Sequence, residues 1–164
     1  MRNAIWILAL FALVLVQGGI LAPLKIEPIN LLLVAVVSAT ILCTLNQGLL
    51  IVIVSGLFLD FLSRTPDGLV TASLLILFLI LWFVLNEILA REPNLLIVFS
   101  SVAASTILFF LIFTLFNSFF VQPDIRYIFL TQLPLTLLWN LVLTYPVFKY
   151  FFWIHEKSLR FAKP

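Results

Sequence analysis

Residues 48–89 read GLLIVIVSGLFLDFLSRTPDGLVTASLLILFLILWFVLNEIL. Two apolar runs flank a polar island, and the run Pro66-Asp67-Gly68 is a strong turn signal. The pattern predicts two helices, over 48–62 and 68–89, joined by a tight connection. Between Gly56 and Gly68 an acid, a base, a second acid, two hydroxyls, a proline and two glycines crowd together in an otherwise apolar chain. Gly56 lies one turn before Asp60 and would let a second backbone approach closely. Arg64 follows Asp60 at i+4, so the two can form an ion pair along the last turn of the helix. The alternative is that Asp60 bonds another helix or a partner and fixes that end of the structure. Thr65 or Asp67 would cap the start of the next helix.

The composition extends this reading to the whole chain. Of 164 residues, 64% are hydrophobic and 10% charged, with a mean hydropathy of +1.27. That is too little charge to cover a soluble domain of this length. The expectation is a single all-α integral membrane domain, a bundle of six transmembrane helices. The spans are placed at 5–21, 29–45, 48–62, 68–89, 94–120 and 125–153, followed by a short basic tail at 154–164. The break between the second and third is put at Asn46-Gln47-Gly48. That leaves the third helix short, roughly 22 Å against a hydrocarbon core of about 30 Å. The sixth holds Pro134 and Pro146 and should be kinked or preceded by an interfacial piece. Arg2 ahead of an apolar run, with Val16-Gln17-Gly18 after it, also resembles a signal peptide. The segment is expected to stay as the first span.

Six spans place both termini on one side. That side collects Arg2, Arg91, Lys149, Lys157, Arg160 and Lys163, against Lys25, Arg64 and Arg126 on the other. The excess marks the cytoplasmic face, so both ends are expected in the cytoplasm. A net charge of +2 gives no basis for nucleic-acid binding. Cys43 and His155 are single, so one chain cannot build a zinc site of His/Cys type. No nucleophile–base pair, phosphate loop or metal-ligand spacing is recognisable, so no catalytic, cofactor or metal residues are expected. Small residues at i, i+4 offer helix-packing sites: Ala35 with Ala39, Ser100 with Ala104, and Ser101 with Ser105. They serve internal packing, dimerisation or partner docking. Phe109, Phe113, Phe116 and Phe120 form a stripe of rings that suits lipid or core.

The spacing Gly56-x-x-x-Asp60-x-x-Ser63-x-x-Pro66-x-Gly68 resembles the signature of the MreD family, the rod shape-determining membrane proteins of bacteria. The sharp match covers this motif; the remainder is similar in hydropathy, length and helix count. Arg64 departs from the family pattern, which commonly has glycine after the hydroxyl residue. The resemblance implies a non-enzymatic scaffold of cell elongation in the bacterial cytoplasmic membrane, contacting membrane lipids. It implies as partners an MreC-like bitopic protein, the MreB cytoskeleton and a peptidoglycan synthase pair, with a homodimer also open. It further implies a fold similar to the substrate-binding membrane subunits of energy-coupling-factor vitamin transporters. Such a subunit, binding a small molecule and an ATPase module, is the alternative function.

Overall fold

The computed structural model describes residues 2–21, 30–62, 68–87, 94–119 and 128–160. These form six α-helices: α1 (Arg2–Val16), α2 (Leu31–Leu42), α3 (Leu45–Leu62), α4 (Leu69–Glu87), α5 (Leu95–Asn117) and α6 (Leu133–Arg160). A π-helical turn, Gln17–Leu21, extends α1, and another, Ile128–Gln132, leads into α6. The expected six-helix membrane bundle is therefore the architecture. Among the described residues four helices are long and apolar enough to cross a membrane, as Leu45–Leu62, Leu69–Asn86, Leu95–Asn117 and Leu130–Lys157.

Two apolar helices are shorter, Ile5–Gly19 and Leu31–Leu42, and the second, α2, organises the rest. It has 12 residues, about 18 Å of helix, well short of a hydrocarbon core. The second span was expected over 29–45. The structure instead ends the helix at Leu42, where Cys43 turns to an extended conformation while its N–H still bonds the Ala39 carbonyl at 2.8 Å. A short helix facing lipid would leave its terminal N–H and C=O groups unsatisfied, at several kcal/mol each. Here α2 sits in the centre instead, touching all five other helices. Every residue from Leu31 to Ile41 is buried. Its sequence, LLLVAVVSATIL, has no polar face to present outward. Ser38 and Thr40 bond back to the carbonyls of Val34 and Val36, both at 2.8 Å, so their hydroxyls need no other partner.

The break before α3 is a correction to the expected one. Asn46, Gln47 and Gly48 lie inside α3, and the chain turns at Cys43 and Thr44. Thr44 precedes the helix as a cap residue, with its hydroxyl donating to the Gln47 side chain at 3.3 Å. The spacing Thr-x-x-Gln is that of a capping box. Gly48 does not break the helix, because it makes room: a Cβ there would lie 2.6 Å from the Phe78 ring of α4. With 18 residues, about 27 Å, α3 is no longer short for a span.

The sixth helix also runs further than 125–153. It continues to Arg160 and takes in most of the expected basic tail. Pro134 follows directly on the π-helical turn, and Pro146 lies inside the helix. Outward-facing residues such as Phe61, Phe119, Leu130 and Leu96 are more than two-thirds exposed, the apolar exterior of a multi-pass membrane protein. Inside the bundle Trp6 is buried and stacks on Phe151 of α6, ring centroids 5.3 Å apart.

Candidate functional site

The polar island becomes a brace between two helices. The antiparallel pair α3–α4 packs so that Gly48 meets Phe78 and Gly56 meets Thr71. At Gly56 the approach is backbone to backbone. A Cβ there would lie 2.7 Å from Thr71 Cα and 2.7 Å from its Oγ1. One turn later the buried Asp60 reaches across to the start of α4. Its Oδ1 accepts from the Val70 N–H at 2.9 Å, and its Oδ2 from the Thr71 N–H at 3.1 Å. The Thr71 hydroxyl donates to Oδ2 as well. The first N–H groups of a helix have no partner within it, and an acid at that end also meets the positive pole of the helix dipole. Asp60 thus caps α4 from another helix.

The cap was expected from Thr65 or Asp67, which lie outside the described residues, as do Ser63, Arg64 and Pro66. The expected Asp60–Arg64 pair lies there too. Gly68, the last motif residue described, has φ +85, and its carbonyl accepts from the Ala72 N–H at 2.9 Å. Space around it is open, so glycine is needed there only for its backbone conformation. Gly68→Ala is expected to lose about 1–2 kcal/mol and Gly68→Asn less. Equilibrium unfolding in mixed micelles separates the two; equal losses would point to packing instead.

A second polar cluster surrounds the N-terminus of α2. The Asn30 side chain accepts from the Leu33 N–H at 3.0 Å, and Gln17 of the π-helical turn accepts from the Leu32 N–H at 3.3 Å. The Asn30 N–H donates to Asn140 Oδ1 of α6 at 3.3 Å, and Asn140 Nδ2 donates to Thr106 Oγ1 of α5 at 3.1 Å. Asn140 and Thr106 are fully buried. Thr106 lies midway along α5, so the central helix begins deep within the bundle. Four elements converge there, and each amide oxygen serves an N–H that lipid could not satisfy. The sequence reading passed over Gln17, Asn30, Thr106 and Asn140. The available signal was Asn140 itself, a lone amide in the apolar run LPLTLLWNLVLT, where an unpaired polar group is costly. Asn140→Leu is expected to cost about 1–3 kcal/mol. Hydrogen exchange at the Asn30 amide should accelerate with it; unchanged protection would rule the bond out as a support.

Of the expected packing pairs, Ala35 and Ala39 are buried in α2, and Ser101 and Ser105 are buried in α5. Ser100 and Ala104 are not packed inside: both are exposed. The buried edge of α5 is set by Val98, Val102, Ser105 and Phe109, and Ser100 and Ala104 point away from it. Phe109 of the ring stripe is buried and stacks on the half-buried Phe113 at 5.8 Å. Cys43 is buried at the end of α2. Among the described residues, no group of three or more His, Cys, Asp or Glu is placed to hold a metal. Comparison with known proteins finds no matching family model, no matching curated protein and no matching solved structure.

Proposed function

We propose that this chain is a non-enzymatic membrane scaffold of bacterial cell elongation, of the MreD type. The observation that supports the reading is the brace at the α3–α4 junction. Gly56, Asp60 and Gly68, three residues of the motif resembling that family, each have a distinct mechanical part in one helix junction. Close approach, a cap given across the pair and a left-handed turn make a rigid corner, which suits a part that holds others in register. The partners proposed are an MreC-like bitopic protein and, through it, the MreB cytoskeleton and a peptidoglycan synthase pair. The membrane is the bacterial cytoplasmic membrane, with both termini in the cytoplasm, as the six-to-three division of basic residues favours.

The test is recovery of the tagged full chain from a rod-shaped bacterium in mild detergent, with bound proteins identified. A bitopic coiled-coil protein is the expected companion. An ATPase pair with a retained small molecule would replace this reading with the transporter-subunit alternative.

A further inference from the structure

We infer that the outward face of the last turns of α6 is a binding site for the headgroup of an anionic phospholipid. Tyr145, Lys149, Trp153 and Lys157 follow one another at four-residue spacing, so aromatic and basic side chains alternate along one slowly drifting stripe. Each lysine is held by the ring one turn before it. Lys149 Nζ lies 5.7 Å from the Tyr145 ring centroid, and Lys157 Nζ lies 3.7 Å from that of Trp153. Among the described residues neither ammonium group has a carboxylate partner, although the exposed Glu156, seven residues beyond Lys149, shares the stripe. An open hollow of about 410 Å³ lies beside Lys149, lined by Tyr145, Pro146, Lys149, Tyr150 and Trp153.

Depth and charge together select the occupant. Lys149 belongs to the apolar span Leu130–Lys157, and a lysine at such a depth must reach the interface or find an anion. Trp153 is about half exposed, as suits a ring at the headgroup level. The Lys149 ammonium at the hollow offers a phosphate a charge-assisted contact, and Lys157, two turns further on, adds a second positive charge along the same stripe. The same helix face continues away from the lysines as the exposed Leu138 and Val142, a track for an acyl chain. A free phosphate would leave that track unused. A second copy of this chain, docked face to face, would set lysines against lysines.

The test uses the full chain in phosphatidylcholine nanodiscs doped with phosphatidylglycerol or phosphatidylcholine carrying brominated acyl chains, with tryptophan fluorescence as the readout. Phosphatidylglycerol should quench at lower mole fraction than phosphatidylcholine by at least about tenfold, given two lysines at the surface. Lys149→Gln with Lys157→Gln should abolish that preference, and Trp153→Phe should remove the phosphatidylglycerol-dependent quenching. A charge-matched control, Lys25→Gln with Arg126→Gln, should leave the preference intact. Equal quenching by the two lipids, an effect of the control as large as that of the lysine pair, or a stable dimer shielding Trp153 from both lipids would each overturn the assignment.

Discussion

Asp60→Ala is expected to lower the unfolding free energy by about 3–5 kcal/mol, the largest effect of any single polar substitution in the bundle. The figure follows from roughly 1–3 kcal/mol for each buried donor deprived of its acceptor. Three donors lose theirs at once: the Val70 N–H, the Thr71 N–H and the Thr71 hydroxyl. Water can replace least at the Val70 N–H, whose bond is buried, and more at the part-buried Thr71. Asp60→Asn keeps one acceptor oxygen and should lose less, about 1–2 kcal/mol. Denaturation in mixed micelles gives the ranking, and amide exchange at Val70 and Thr71 gives the location. Equal losses for the two variants, or amides that stay protected in the alanine variant, would remove Asp60 from the cap. In cells, the proposed scaffold role adds a change in width and a lower yield of partner complexes.

Gly56→Val should be comparably damaging for an unrelated reason. The space that its side chain would need is filled by Thr71, backbone included. Gly56→Ala gains up to about 1 kcal/mol of helix propensity and loses about 1–3 kcal/mol to overpacking. Valine cannot be accommodated without separating the helices, so a loss of about 3 kcal/mol or more is expected. Thr71→Ala should rescue Gly56→Ala poorly, because the Cα and Cβ contacts at 2.7 and 2.9 Å remain after the hydroxyl is gone. A double-mutant cycle measures this; full rescue would mean that the hydroxyl alone set the spacing. Since Asp60 lies one turn further on, Gly56→Val should also expose the Val70 amide to exchange.

Both predictions rest on residues that the sequence made visible, because their chemistry is out of place in an apolar chain. The small residue, the acid and the turn glycine mark a junction whatever surrounds them. What Asp60 bonds was less visible. An arginine at i+4 competes in sequence with backbone N–H groups ten and eleven residues away, and hydropathy does not distinguish them. The length of α2 was hidden for a related reason. Leu31–Leu42 and the residues after it are almost uniformly apolar, so hydropathy ran through Cys43 and Thr44, while the Thr44–Gln47 capping pattern was the finer mark. The cluster at Asn140 lay furthest from view. Its bond to Asn30 joins residues 110 apart, and no local pattern reports such a pairing.

The central position of α2 also bears on how the chain is made. A 12-residue helix is too short to be held by the bilayer alone, and its N-terminal support includes Asn140 of α6, itself bonded to α5, two helices synthesised well after it. Until those helices leave the ribosome, α2 lacks two of the five helices that enclose it. The nascent protein therefore carries an unfinished centre through most of its translation, and membrane insertion of the early helices precedes the moment at which the bundle closes. Chains truncated before α6 should be inserted and yet remain substrates for membrane proteases, a division between targeting and folding that begins with one short helix.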